Sequence, residues 1–234
     1  MADRGAVNLE IFGVPGIGEV KAGDEVADLI LAALPRPLEN ADIVVVTHKI
    51  VSKAEGSVLA AATDEARKAI VETESAGIVR RRGELIISIT RHGFICANAG
   101  VDRSNVEPGN VVLLPRDPDA SAHRIRHRLE RATGTSLGVI ITDTFGRPWR
   151  RGLTDVAIGI SGLPALIDYR GTSDTFGSVL EVTEVAAVDE IAAAADLVMG
   201  KATGTPVAVV RGLNLRGEGR AVDLVRPPDE DLFR

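Results

Sequence analysis

Cysteine is almost missing from this chain, with Cys96 the only one in 234 residues. No disulfide can form within the chain, and a reducing cytoplasm is the expected location. Cys96 lies in the apolar run Phe94-Ile95-Cys96-Ala97 and reads as a small core residue rather than a nucleophile. Aromatic residues are 3% of the total. The core must therefore rest on Val, Ile, Leu and Ala, and stacking platforms for nucleic-acid bases are scarce. Positive charge is not in excess either, since 27 Lys and Arg against 33 Asp and Glu leave a net charge of −6. That argues against general nucleic-acid binding. It does not exclude an anionic small substrate, because local arginines or a metal ion can reverse the field inside a cleft. No apolar run approaches the length of a membrane span, and the start, Met1-Ala2-Asp3-Arg4-Gly5, has no signal-peptide core. What remains, 45% hydrophobic and 26% charged residues, is the composition of a soluble globular protein with a sizeable core.

Hydropathy patterning predicts strands over 7–12, 43–47, 85–90, 94–97, 111–114, 137–142, 156–160, 165–169, 179–185 and 206–210. The run Ile43-Val44-Val45-Val46-Thr47 is continuous and β-branched, as in a strand buried on both faces. Asp24 is a candidate cap for a helix carrying Val26, Leu29, Ile30 and Leu34 at helical spacing, stopped by Pro35 and Pro37. Further helices are predicted over 64–79, 119–132 and 186–199, the last ending near Gly200. The segments at 85–90 and 94–97 read as an antiparallel pair joined through His92-Gly93. Strands and helices mix without strict alternation, which predicts a mixed α/β or α+β fold. The chain reads as one domain over 1–234, or as two lobes divided within 102–120, with a loosely held polar tail at 226–234.

Two runs carry the chemistry. One is Cys96-Ala97-Asn98-Ala99-Gly100-Val101-Asp102-Arg103-Ser104-Asn105; the other is Ile140-Ile141-Thr142-Asp143-Thr144-Phe145-Gly146-Arg147. Each sets a carboxylate and small oxygen-bearing side chains just after an apolar strand-like segment. Such groups supply hard oxygen ligands suited to Mg²⁺ or Mn²⁺ bridging a nucleotide phosphate. Each also fits an ordinary Asx turn. Together, and followed by the basic Arg147-Pro148-Trp149-Arg150-Arg151, they favour a site for a phosphate or carboxylate substrate held against a metal ion.

Lys49 and Lys53 flank Ser52 directly after the buried strand, where they can neutralise phosphate or belong to a solvated loop. The commonest phosphate cradles are absent. Gly200-Lys201-Ala202-Thr203 lacks the upstream glycine of a P-loop, and Gly13-Val14-Pro15-Gly16-Ile17-Gly18 is not a dinucleotide fingerprint. His123 and His127 stand i,i+4 on one helix, but no third zinc ligand is apparent and arginines surround them. Arg211 could add a cation after the last strand, and Gly217-Glu218-Gly219 fits a flexible lid or a surface loop. No Ser-His-Asp or Cys-His set stands out, which disfavours nucleophilic hydrolysis.

Several motifs, in order, resemble the coenzyme F420-0:L-glutamate ligase (F420 gamma-glutamyl ligase) family. They are Val51-Ser52-Lys53-Ala54-Glu55-Gly56, the Asn98 and Ile140 runs above, Asp189-Glu190-Ile191-Ala192, and Pro206-Val207-Ala208-Val209-Val210-Arg211-Gly212-Leu213-Asn214. Ordered motifs over most of a chain are far more specific than any single one. The pattern looks closest to actinobacterial members, without the C-terminal flavin-binding domain of their fusions. The resemblance implies a two-lobed α/β fold with mixed sheets, commonly a homodimer. It implies a GTP-dependent, amide-forming ligase that activates the terminal carboxylate of F420-0 as an acyl phosphate, joins L-glutamate and extends a γ-linked polyglutamate tail. Two divalent ions, Mg²⁺ or Mn²⁺, usually take part, with K⁺ a further candidate.

Carried over by position, Asp102 and Asp143 match metal ligands and Thr144 a ligand of the second ion. Asn105 matches a GTP contact, and His48, Lys49 and Lys53 the nucleotide loop. Ile17, Gly18, Glu19 and Val20 match the first GTP loop; Met199, Gly200, Lys201 and Pro206 fall in a late loop near the phosphates. Arg147, beside Asp143, is a candidate catalytic cation. The chain departs from the family pattern at Glu19, at His48, and at Lys201, where some members carry an acidic metal ligand. Either the second ion is then held more weakly, or Lys201 contacts phosphate instead. The missing flavin domain and the departures at Glu19 and Lys201 leave a second reading open, a non-catalytic deazaflavin- and GTP-binding lobe working with a separate flavin reductase.

Overall fold

Ile43, Val44, Val45 and Val46 have no exposed surface at all, which a strand attains only inside a sheet covered on both faces. In the computed structural model, which describes residues 8–231, these residues form the middle of a five-stranded sheet. The chain runs β1 (Glu10–Gly13), α1 (Val26–Ala33), β2 (Ile43–Thr47), α2 (His48–Ala54), β3 (Val58–Ala60), α3 (Asp64–Glu74), β4 (Ser75–Arg82), β5 (Leu85–Thr90) and β6 (Ile95–Ala97). It continues with β7 (Asn110–Val112), α4 (Pro118–Thr133), β8 (Gly138–Arg147), β9 (Arg150–Ser161), β10 (Ile167–Asp168), β11 (Glu184–Val185), α5 (Ala187–Met199) and β12 (Val207–Arg211). This is the expected mixed α/β fold.

The main sheet has the order β1-β12-β2-β8-β9. Its one parallel pair among the described residues is β2 with β8, in register from Ile43 opposite Gly138 to Thr47 opposite Thr142. The carboxyl ends of these two strands therefore emerge side by side. Helix α4 packs on β8 and β9, α1 on α4, and α5 on β1, β9 and β12. Helix α4 is well terminated: Asp117 accepts from the Ala120 N–H at 3.0 Å, Pro118 starts it, and Gly134 ends it in the left-handed conformation. A smaller apolar cluster of Ala61, Val71, Ile86, Val101, Val111 and Leu113 lies under α3, β5 and the β3–β7 pair. Gly100 joins the two regions at φ +73°, where a Cβ would lie 2.6 Å from Leu114 Cγ, so both conformation and space require glycine. No helix among the described residues is long and apolar enough to cross a membrane.

The structure changes several sequence expectations. The helix predicted over 64–79 ends at Glu74 and the chain turns directly into β4, where Gly77 pairs with Ile89 and Ile78 with Ser88 of β5 through a tight turn at Gly83, and Val79 falls in a register shift between Ile78 and Arg80. Asp24 does not cap α1; its carboxylate accepts from the Lys21 N–H, and Glu25 holds the cap position without a side-chain bond. The segment after β2 is no solvated loop but helix α2, with His48 and Ser52 fully buried. Strands β8 and β9 run well beyond the predicted 137–142 and 156–160, because polar Thr142, Thr144 and Asp155 pair across the ladder and hide its length from hydropathy. The strands predicted over 165–169 and 179–185 shrink to two residues each. Gly219 is no lid hinge: its N–H bonds to the Leu163 carbonyl at 2.7 Å and a Cβ there would strike Ala165. Arg211 is engaged by Asp42 and Glu39. Residue 7 of the first predicted strand, the extreme N-terminus and residues 232–234 of the tail lie outside the described residues.

Candidate active site

A cleft of about 660 Å³ opens beyond the paired carboxyl ends of β2 and β8, the place where open α/β sheets gather ligands. Thr47 at the end of β2, Lys49 and Lys53 on α2, and Thr144 on β8 form its floor and one side. The loop after β1 brings Ile17, Gly18, Glu19 and Val20 to its rim, because β1 and β12 are antiparallel neighbours and the Val14 N–H extends that pairing to the Val207 carbonyl. The loop between α5 and β12 closes it from the other side with Met199, Gly200, Lys201 and Pro206. Asn105, in the left-handed conformation at φ +58°, completes the lining.

Three lysines set the electrostatics. Lys49 Nζ lies 2.8 Å from Asp102 Oδ2, Lys53 Nζ 2.6 Å from Glu19 Oε1, and Lys201 Nζ 2.8 Å from Asp155 Oδ1 and 2.9 Å from Asp196 Oδ1. Asp102 is held by its own surroundings as well: its backbone pairs with Val112 in both directions, and Ser104 donates to its carboxylate through N–H and O–H, each at 2.8 Å. Burial pushes the Asp102 carboxyl up, but Lys49 and the Ser104 donors outweigh it and hold it below the usual value. Burial likewise penalises Lys201, and its bonds to Asp155 and Asp196 prevail and raise it.

Side-chain alternation along β8 decides where the second motif points. Thr142 and Thr144 face the same way and both donate to Asp155, at 3.1 and 2.6 Å, since Thr144 and Asp155 are direct partners across the β8–β9 hairpin. Asp143 points to the other face. There it accepts from the Thr144 N–H at 2.7 Å and sits 3.2 Å from His48 Nε2, an ion-pair distance without hydrogen-bond alignment. Burial raises the Asp143 carboxyl; the His48 and Lys49 charges and the Thr144 N–H outweigh this and lower it. Lys49 thus acts on both Asp102 and Asp143. Burial first, then the Asp143 charge, pushes the Cys96 thiol up to about 12, so Cys96 is a packed thiol at neutral pH.

The cleft therefore gathers the twelve sequence-derived positions Ile17, Gly18, Glu19, Val20, Lys49, Lys53, Asn105, Thr144, Met199, Gly200, Lys201 and Pro206. His48 and Asp143 stand behind Lys49 rather than on the surface of the cleft, and Asp102 joins through its pair with Lys49. Arg147 is not brought in: it lies at the turn of the β8–β9 hairpin and its guanidinium donates to the Arg151 carbonyl. Sequence reasoning missed Asp155 and Asp196. Asp155 becomes visible only when the hairpin register sets it opposite Thr144, and Asp196 only when the chain turns back after Gly200.

Among the described residues no three His, Cys, Asp or Glu side chains converge as a ready-made metal cage. Asp102 and Asp143 are hard oxygen donors held beside one lysine, the donor type that Mg²⁺ or Mn²⁺ takes.

The protein-family model for F420-0:gamma-glutamyl ligase matches residues 16–212. The chain belongs to this family. The matched span contains every residue that lines the cleft. Among individual relatives, the coenzyme F420:L-glutamate ligase of Methanothermobacter thermautotrophicus is 44% identical, with 97% of this chain and 100% of the relative covered. The enzyme of the same name from Methanopyrus kandleri is 42% identical over 98% of this chain and 99% of its own length. That from Methanocaldococcus jannaschii is 43% identical over 85% and 86%. In this member of the F420-0:gamma-glutamyl ligase family, the cleft and its lysines are thus part of the shared region.

Proposed function

We propose that this protein joins L-glutamate to coenzyme F420-0, using GTP and a divalent ion, through an acyl phosphate, and extends the γ-linked tail. The observation that carries this reading is the cleft at the β2–β8 carboxyl ends, lined by Lys49, Lys53 and Lys201 and each lysine neutralised by a carboxylate. A triphosphate and a carboxylate repel each other, and amide formation from a carboxylate needs a better leaving group than oxide. In the reaction, the F420-0 carboxylate oxygen bonds to the γ-phosphorus and the bond from that phosphorus to GDP breaks. The glutamate nitrogen then bonds to the acyl carbon, phosphate leaves, and the surplus protons of the amine pass to phosphate and water. Lys49 and Lys53 offset the charge of the phosphates and orient them. Asp102 and Asp143 would hold Mg²⁺ or Mn²⁺, which when bound would supply Lewis-acid stabilisation of the phosphoryl oxygens. The protein itself need supply no nucleophile, which suits a site whose nearest thiol, Cys96, is buried and protonated. The relatives' names support the glutamate and F420 assignment. A cytoplasmic homodimer belongs to the same reading.

The test is turnover of purified protein with F420-0, L-glutamate, Mn²⁺ or Mg²⁺ and either GTP or ATP, with products read by mass spectrometry. A product heavier by one or more glutamyl units, formed with GDP and dependent on every component, is expected. Binding of GTP or F420-0 without turnover would instead support a binding lobe that serves a partner.

A further inference from the structure

Lys201 differs from the other two cleft lysines in how its donors are used. A lysine ammonium has three N–H donors and no acceptor. Lys49 spends one on Asp102 and Lys53 one on Glu19, which leaves each with two donors for a ligand. Lys201 spends all three, on Thr144 Oγ1 at 2.6 Å, Asp155 Oδ1 at 2.8 Å and Asp196 Oδ1 at 2.9 Å. The acceptors come from three elements, β8, β9 and α5, and all line the cleft. The loop that carries Lys201 is fastened: the Gly200 N–H bonds to the Asp196 carbonyl at 2.8 Å, and Thr203 Oγ1 donates to the Met199 carbonyl. Gly200 turns at φ +61°, where a Cβ would meet Thr203 Cγ2 at 2.9 Å. The ammonium therefore sits in an oxygen cage, as a bound cation does, rather than reaching into the cleft as a phosphate-binding arm.

We infer that Lys201 is a tethered cation filling the Thr144–Asp155–Asp196 oxygen cage, so that this chain takes one divalent ion per bound nucleotide, at Asp102 and Asp143, and none in that cage. The inference rests on the reading of the cleft as a nucleotide–metal site and adds how many ions that site holds and which residue limits the number. The cage is of hard oxygens, the donor type that Mg²⁺ and Mn²⁺ take. The ammonium excludes such an ion by its charge and by its volume. It balances one of the two carboxylate charges of Asp155 and Asp196, leaving Lys49 and Lys53 as the exchangeable phosphate ligands.

The experiment counts Mn²⁺ on the full chain by electron paramagnetic resonance, with and without saturating β,γ-imido-GTP. Wild type is expected to bind one Mn²⁺ per bound nucleotide. The K201E variant, which sets a third carboxylate beside Asp155 and Asp196, is expected to bind two, and to melt higher when Mn²⁺ is added without nucleotide while wild type does not. K201Q removes the charge at nearly the same length. It is expected to gain the same second ion more weakly, and it carries the test if K201E does not fold. Two Mn²⁺ per nucleotide on wild type, or one on a folded K201E or K201Q that binds nucleotide, overturns the inference and leaves the proposed function standing. Failure of wild type to bind nucleotide at any Mn²⁺ concentration overturns both.

Discussion

Replacing Asp155 with alanine removes one carboxylate and three hydrogen bonds, yet the three losses differ in weight. Thr142 is fully buried and Asp155 is its hydroxyl's acceptor, at 3.1 Å. Leaving that hydroxyl without a partner costs about 1–3 kcal/mol. Thr144 keeps Lys201 as a partner, so its loss is smaller. Lys201 keeps Asp196, and its side chain is 57% exposed, so screening holds its share below about 1 kcal/mol. The expected total is about 2–3 kcal/mol, which in a chain of this size lowers the melting temperature by about 5–10 °C. Asp155→Asn keeps one acceptor oxygen and has nearly the same shape, and it is expected to fall between wild type and the alanine variant. Thermal melts followed by circular dichroism at one pH and salt concentration give the comparison. An alanine variant melting within about 2 °C of wild type would refute the reasoning, because it would mean that the buried Thr142 hydroxyl does not depend on Asp155.

Other outcomes follow from named contacts. Asp42→Ala breaks a fully buried carboxylate's two-point grip on Arg211, at 2.7 and 2.8 Å, that ties the start of β2 to the end of β12. A loss near the low end of about 3–5 kcal/mol is expected in urea unfolding, because Arg211 retains Glu39 and the Pro37 carbonyl. Lys49→Met should weaken nucleotide binding by about ten- to a hundredfold, the worth of a charge-assisted hydrogen bond, measured by calorimetric titration. Asp189 has its carboxyl raised by burial, against the pull of the Ala157 N–H that it accepts at 2.9 Å. Its stabilising share is therefore full below its unfolded value near 3.8 and is lost as pH rises through the raised folded value. Asp189→Asn should accordingly gain on wild type in melting temperature as pH rises from 3.8 towards neutral; a difference that stays flat with pH would count against the burial argument.

Much of the site was legible because its parts are local. Val51 to Gly56, Asn98 to Asn105 and Ile140 to Arg147 are short runs whose residue types speak for oxygen ligation and phosphate charge without any knowledge of the fold. Arg147 shows the limit of adjacency in sequence. It stands four residues from Asp143, but β8 continues as a strand and carries it along the hairpin, away from the cleft. Asp143 and Thr144 are neighbours in sequence and, by alternation, lie on opposite faces of one strand. The boundary at Glu74 escaped because apolar spacing continues through β4, and the partner that makes 75–82 a strand, β5, is found only by folding.

The sequence by itself determined the buried run of β2, the start and end of α4, the family and most of the positions that line the cleft. Each of these is written in residue type and close spacing: β-branched side chains, an Asp-Pro start with a glycine stop, and motifs recurring in a given order. Tertiary structure alone decided that β2 and β8 end side by side, that Thr144 meets Asp155, and that Lys201 turns back onto both Asp155 and Asp196. Apart from Lys201 and Asp196, five residues apart, those contacts span 11 to 95 residues. They exist only after the sheet has chosen its strand order and register, and no local propensity encodes that choice.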